Sequence, residues 1–452
     1  MPRWQKREAA SRAKRITKKS FELNRTLQTI ILGKEKAKSP MEDIQQQLAL
    51  LRRRIRRIDR KYAAASPARI VPRHSGRFIE ELMEGEVVRT RQGEHFETER
   101  VWEPHRRHGS VSIGDLAALP EDLLSELSAC AIARTRPTTW AFLDTETTGL
   151  GGGTYAFLAG VGSIDNGGFR LRQFFMRDYC EEASLLARLA EYLARFDVLI
   201  TYNGKAYDQP LLETRFRMAR PHGAPREPFG RMEHLDLLFG ARRLWKLRLD
   251  SCRLVDLENQ ILGVERQGDL PGAMIPYYYF DYLRTQQAFR LVPIFHHNAM
   301  DILSLACLTV VVSLAHRAPD EAAFRHGSDL IGLARWLLQS ERPEQALRLL
   351  ERAVDLGLPD DLLFRTLWDI ALLHKRLGRP GAACAALEDL AASRNPYQAR
   401  AFEELAKHYE HRQRDFPEAL KMARSARAMA DSERLRRREQ RLEARMAKTA
   451  RR

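Results

Sequence analysis

Between residues 138 and 318 the spacing of apolar positions switches between strand and helix periods. The run Trp140-Ala141-Phe142-Leu143 is apolar throughout and ends in Asp144-Thr145-Glu146, the pattern of a buried strand reaching the end of a sheet. Two alternating runs follow, Tyr155 to Ile164 and Phe169 to Met176, separated by Asp165-Asn166-Gly167-Gly168. Asn-Gly and Gly-Gly between apolar runs predict a hairpin. Leu185, Leu186, Leu189, Leu193 and Phe196 then recur at helical spacing and lead into a short strand at Val198-Leu199-Ile200. A helix over Leu211 to Met218, a short strand carrying His234, Asp236 and Leu237, and further helices to residue 317 complete the segment. Three meandering strands followed by strand–helix alternation predict an α/β fold, a mixed sheet flanked by helices.

The flanks read differently. Residues 75–137 form a small β-containing lead-in with no assigned chemistry. From about 326 to 432 the pattern is helix–turn–helix, and Pro343, Pro380 and Pro417 recur at a spacing of 37 in charged turns. Ala334 and Ala371 share that spacing, as do Ala346 and Ala383, which lets paired helices approach closely. Period and pattern are similar to tetratricopeptide repeats, predicting an all-α repeat domain of about three units. It could serve as a helical cap or bind a protein partner. Near the N-terminus, Ser39-Pro40-Met41-Glu42 reads as a helix start. Behind it Met41, Ile44, Leu48, Leu51, Ile55 and Ile58 form a heptad seam on a helix over about 40–61.

At 452 residues two or three domains are expected, and 44% hydrophobic residues suffice for their cores. The formal charge of +16 is unevenly placed. Residues 1–74 hold 21 Lys/Arg against 6 Asp/Glu, and residues 433–452 hold 9 against 3, leaving −5 for residues 75–432. A basic N-terminal arm and a basic C-terminal tail therefore flank a mildly acidic body. Such arms can bind a polyanion by releasing its counterions, or simply be solvated. The cysteines at 130, 180, 252, 307 and 384 form no Cys-x-x-Cys pair, as expected of reduced thiols in a cytoplasmic protein. No apolar signal region opens the chain. The longest apolar run, Ile302 to Ala315, is shorter than the roughly 18 residues of a bilayer span, so no membrane association is expected.

The candidate chemistry is acidic. Residues i and i+2 of a strand share a face, so Asp144 and Glu146 point the same way. Two like charges held that close favour a cation between them, and hard oxygen ligands suit Mg²⁺ or Mn²⁺. A third acid, Asp208, follows the polar turn Asn203-Gly204-Lys205 at the start of a helix, where an acid is also favoured for purely structural reasons. The fourth, Asp301, lies one helical turn after His297 in FHHNAMDILSLACL. A His on that face can act as a base beside a metal.

These residues resemble the DEDD (DnaQ-like) exonucleases of the ribonuclease H-like fold. Asp144 and Glu146 match their first motif; Asn203, Tyr207 and Asp208 match the second; a histidine with Asp301 matches the third. The phrases DTETTGLGGGTYAFLAGVG, TYNGKAYDQPLLETRF, ARRLW, SCRLVDLE, IPYYYFDYLR and HNAMDILSLA are most similar to the YprB-like branch, over about Gly76 to Arg317. The resemblance implies a ribonuclease H-like exonuclease domain over 138–318. It further implies two Mg²⁺ or Mn²⁺ ions held by Asp144, Glu146, Asp208 and Asp301, and 3′–5′ hydrolysis of DNA or RNA from a single-stranded 3′ end. A base five residues before the last Asp selects His296, and one four residues before selects His297; the helical geometry favours His297. The rival expectation is a non-catalytic nucleic-acid-binding adaptor that recruits a partner through its helical repeats. Gly151-Gly152-Gly153 lacks the Gly-Lys-Ser/Thr of a phosphate loop and fits close backbone approach to the site better. The aromatic cluster Tyr277 to Tyr282 could stack bases, but its helical spacing favours core.

Overall fold

The computed structural model describes residues 78–450, apart from 129–130, 150–152, 166, 224, 267 and 323. The expected heptad helix, the basic arm over 1–74 and the glycines at 151 and 152 lie outside the described residues.

Among the described residues nine strands form: β1 (Glu86–Thr90), β2 (Gly93–Trp102), β3 (Arg107–His108), β4 (Val111–Ser112), β5 (Trp140–Thr147), β6 (Ala156–Asp165), β7 (Gly168–Phe175), β8 (Val198–Thr201) and β9 (Glu233–Asp236). Seven of them make one sheet in the order β1-β2-β7-β6-β5-β8-β9, and β3 pairs with β4 separately. The pairs from β1 through to β5 are antiparallel, whereas β8 lies parallel to both β5 and β9. This is the mixed sheet expected from the meander. The lead-in segment adds β1 and β2 to the same sheet.

Helices cover both faces: α1 (Ile113–Ala117), α2 (Leu123–Leu127), α3 (Glu182–Leu193), α4 (Asp208–Ala219), α5 (Leu237–Trp245), α6 (Ile275–Thr285) and α7 (Val292–Arg317). Alternate residues of β5 enter different cores. Trp140 and Phe142 pack in the cluster that holds Ala299, Ile302 and Leu303 of α7. Ala141 and Leu143 join Leu185, Leu189, Leu212, Phe216 and Tyr279 on the opposite face. A strand buried on both sides must read as a continuous apolar run, and β5 does so up to Asp144. Asp144 and Glu146 continue the even-numbered series and so project on the α7 side. The aromatic cluster is divided: Tyr279 is buried and stacks on Phe157 with ring centroids 4.0 Å apart, while Phe280 is exposed.

Helix α7 has 26 residues and is long and apolar enough to cross a membrane, but most of its apolar stretch is buried against the sheet. Burial on nearly all sides explains why it lacks an amphipathic stripe. The sequence pattern anticipated a helix through His297 and Asp301 that continues into this apolar run.

Seven further helices follow, α8 (Gly327–Gln339), α9 (Pro343–Asp355), α10 (Asp360–Arg376), α11 (Pro380–Ala392), α12 (Gln398–His408), α13 (Phe416–Met429) and α14 (Glu433–Ala450). They stack as an all-helical region of paired helices. The recurring prolines occupy the first turns of α9, α11 and α13, where the missing N–H costs nothing. Ala334, Ala371, Ala346 and Ala383 are all buried, as close helix pairing requires. The stack continues the core of the sheet: a Cβ built at Gly332 of α8 would lie 2.5 Å from the carbonyl oxygens of Arg243 and Leu244 on α5.

The basic C-terminal tail is corrected to a packed helix. Leu442 of α14 is buried against Ala419 and Ala423 of α13. Arg438, Arg441 and Arg445 converge on Glu410, while Arg434 and Arg436 pair with Glu403 and Asp431. Charge counting could not reveal Glu403 and Glu410, because they lie in earlier helical turns, before α13.

Candidate nuclease site

The acids gather where β5 leaves the core. Asp144 lies opposite Gly160 of β6 in the ladder, and α7 crosses directly above that pair. The Asn298 Nδ2 of α7 donates to Asp144 Oδ2 at 2.8 Å and to the Asp144 carbonyl at 3.3 Å. Asn298 is itself fixed: its Oδ1 accepts from Gln173 Nε2 at 2.9 Å. Gln173 Nε2 also donates to the Phe295 carbonyl at 2.9 Å, and its Oε1 accepts from Thr98 Oγ1 at 3.2 Å. This chain leaves the Asn298 amide one orientation, with its NH₂ facing Asp144.

The crossing requires Gly160. A Cβ there would sit 2.2 Å from Asn298 Oδ1 and 2.4 Å from Ile302 Cδ1. Gly160→Ala is therefore expected to destabilise the fold by about 1–3 kcal/mol, the usual cost of overpacking, and to displace Asn298 from Asp144. Urea denaturation checks the first effect; an unchanged midpoint would show that α7 can shift freely.

Asp208 is the first residue of α4, and its Oδ1 accepts from Thr145 Oγ1 at 2.6 Å. The loop before it is held by Asp236 at the end of β9, whose carboxylate accepts from the backbone N–H groups of Asn203 at 2.8 Å and Lys205 at 3.2 Å. Asn203 takes a left-handed φ of 66°, which Asn tolerates better than most residues. Thr145 thus points away from its neighbours Asp144 and Glu146 yet bonds the third acid.

Crowding shows in the electrostatics. Burial first, then the nearby carboxylates of Asp301, Glu146 and Asp208, push the Asp144 carboxyl well above the usual range. Glu146 rises to about 8, chiefly through burial, with Asp301 and Asp208 adding to it and His297 opposing. Asp208 rises to about 6 for the same first reason, although the Thr145 hydrogen bond opposes it. Among the described residues no three such side chains are already arranged to hold a metal ion. Carboxyls raised in the fold stabilise it below their unfolded pKa and lose that contribution as pH rises through the folded value. The metal-free protein is accordingly expected to lose thermal stability between about pH 4 and 8. Excess Mn²⁺ should flatten that slope by replacing the protons. A pH-independent melting temperature without metal would contradict this electrostatic picture.

Asp301 has a different environment. Arg266, only 7% exposed, donates through Nη2 to both Asp301 Oδ1 and Glu258 Oε1, and through Nη1 to Asp269 Oδ2 at 3.3 Å. His297 lies on the same side, with Nδ1 2.8 Å from Asp269 Oδ1 and Nε2 3.5 Å from Asp301 Oδ2. Burial works against protonating His297, but Asp301, Glu146 and Asp269 prevail and raise its pKa. Burial likewise favours neutral Asp269, but its hydrogen bond and charge interactions with His297 and Arg266 hold it low. An ionised carboxylate only accepts, so Nδ1 carries the proton and Nε2 is the nitrogen that can exchange one. His296 is exposed, and burial of its ring followed by the Arg100 charge lowers its pKa.

Residues 141–313 match a model of the RNase_H superfamily, RNase_H_2, which spans β5 through most of α7. The chain is also 35% identical over 287 residues to the uncharacterized protein YprB of Bacillus subtilis (strain 168). That alignment takes in 62% of this chain and 67% of YprB. The chain belongs to the family of YprB, and its residues 141–313 to the RNase H superfamily.

Membership accounts for the mixed sheet and points to nuclease-type activity on nucleic acid. The structure brings Asp144, Glu146, Asp208, Asp301 and His297 within electrostatic reach of one another at the end of β5. The sequence reading missed Arg266, Asp269 and Glu258. Glu258 continues the short helix Leu254–Leu257, and Arg266 and Asp269 fall in a polar stretch around Gly263 and Gly268 that follows neither a strand nor a helix period. It also missed Gln173 and Thr98, whose role exists only through cross-strand pairing of β2 with β7.

Proposed function

We propose that this chain is a divalent-cation-dependent 3′–5′ exonuclease acting on nucleic acid. The observation that carries this reading is the group of Asp144, Glu146 and Asp208. Burial pushes all three upward, repulsion from the neighbouring acids adds to it at Asp144 and Glu146, and such a group gains most from a cation. Charge and oxygen chemistry suit Mg²⁺ or Mn²⁺, with Asp144, Glu146 and Asp208 as ligands, whereas Asp301 is engaged by Arg266. A bound cation would supply Lewis-acid chemistry, screening a phosphate and making a coordinated water more acidic.

The chain's own residues do the rest. His297 accepts the proton of the attacking water at Nε2, and Asp269 holds the ring in the required tautomer. Asn298 and Thr145 fix the carboxylates of Asp144 and Asp208. Recognition runs through phosphate and strand end rather than base identity, so DNA and RNA are both within its chemistry. The paired C-terminal helices, read as tetratricopeptide-like repeats, offer a surface for a protein partner, and the basic arm over 1–74 a further contact to phosphates in a cytoplasmic protein.

The polarity is tested on single strands labelled at either end, with Mn²⁺ or Mg²⁺ present. A 3′ label should be released first as mononucleotide, while a 5′-labelled strand shortens stepwise. Internal fragments would indicate an endonuclease. Binding without cleavage would favour the adaptor.

A further inference from the structure

Arg266 is built into the acid group. Its guanidinium touches three carboxylates from three parts of the chain: Glu258 in the turn after the short helix Leu254–Leu257, Asp269 in the following loop, and Asp301 on α7. Glu258 is fully buried, and its second oxygen has no hydrogen-bond partner. A buried carboxylate without a cation is among the most costly arrangements in a protein, so Glu258 requires Arg266 where it stands.

Arg266 in turn commits Asp301. One oxygen of Asp301 accepts from Nη2, and the other faces His297. An ion ligated by Asp301 would have to sit against a guanidinium, or expel it and strand Glu258. Neither obstacle exists at Asp144, Glu146 and Asp208. We propose that Arg266 is a permanent cation of this site, standing in for one of two ions, so that the chain binds a single divalent ion at Asp144, Glu146 and Asp208. This rests on the nuclease reading and departs from the two-ion, four-ligand arrangement that the family resemblance implies. Arg266 thereby acts as a positioning residue, holding Asp301 beside His297.

Mn²⁺ binding to the full metal-free chain, followed by calorimetry and by electron paramagnetic resonance, tests the proposal without reference to turnover. Wild type should bind one Mn²⁺ per chain with an uncoupled spectrum. The double variant Arg266→Met/Glu258→Gln removes both members of the buried pair, leaves no orphan charge and frees Asp301. It should bind two ions, whose spins couple at a separation of about 4 Å. Arg266→Lys, which keeps the charge, should stay at one. Two coupled ions in wild type would overturn the proposal while leaving the nuclease reading intact. No ion in wild type would overturn both. A folded double variant that still binds one ion would show that Arg266 is not what excludes the second. Should that variant fail to fold, the wild-type count and spin coupling decide alone.

Discussion

Asp144→Asn is expected to reduce hydrolysis by roughly 10³-fold or more, to background, because it removes a carboxylate that interacts with the other three acids of the group. The fold should survive. Asn keeps an oxygen that can accept from Asn298 Nδ2, now 2.8 Å from Asp144 Oδ2. The metal-free variant should be at least as stable as wild type above pH 7. It loses a carboxyl that burial and its neighbours already push upward, and so relieves repulsion with Glu146, Asp208 and Asp301. Loss of activity with a gain in metal-free stability is the signature of a charge kept for function. A variant both inactive and strongly destabilised would instead mark Asp144 as structural.

His297→Ala is expected to cost roughly 10²–10⁴-fold in turnover, the usual range for losing a general base. His296→Ala should cost far less, since that ring is exposed and its lowered pKa reflects partial burial and Arg100 rather than the acids. Asp269→Asn should fall between them. It leaves the base in place but removes the acceptor 2.8 Å from Nδ1 that fixes its tautomer and supports its charge. It should also move the acidic limb of the turnover profile to lower pH, because His297 must be neutral to accept a proton and a partner that raises its pKa is gone. A greater loss in His296→Ala than in His297→Ala would show that the five-residue spacing to Asp301 governs.

Much of the fold was legible because backbone periods are short-range. The run from Trp140 to Leu143 is apolar because both faces of β5 are covered, and Asp144 to Glu146 follow as the first polar residues near the end of that strand. The Asp165 to Gly168 turn and the 37-residue recurrence of Pro343, Pro380 and Pro417 likewise act within a few residues of themselves. The acid motifs were visible for the same reason. Asp144 and Glu146 share one strand, and His297 and Asp301 share one helix.

Contacts made across the fold were not visible. Gly160 reads as any small residue in a strand until α7 is laid over it with Asn298 and Ile302 in the way. Arg266 reads as a surface charge until Glu258, Asp269 and Asp301 close around it. The arginines of α14 contributed to an apparent free basic tail because their acids, Glu403 and Glu410, belong to the preceding helices. Charge counting measures what a segment carries, whereas packing decides what it leaves unpaired. The same distinction separates the acids: Asp301 already has a cation, while Asp144, Glu146 and Asp208 repel one another.

The most direct measurement is release of acid-soluble nucleotide from a single strand by the purified full-length chain, titrated with Mn²⁺ after chelation and run beside Asp144→Asn. Release that is absent without metal, saturates as Mn²⁺ is added and disappears in Asp144→Asn is the expected result. Equal release by both proteins, or none by wild type at any Mn²⁺ concentration, would contradict the assignment of this acid group as a nuclease site.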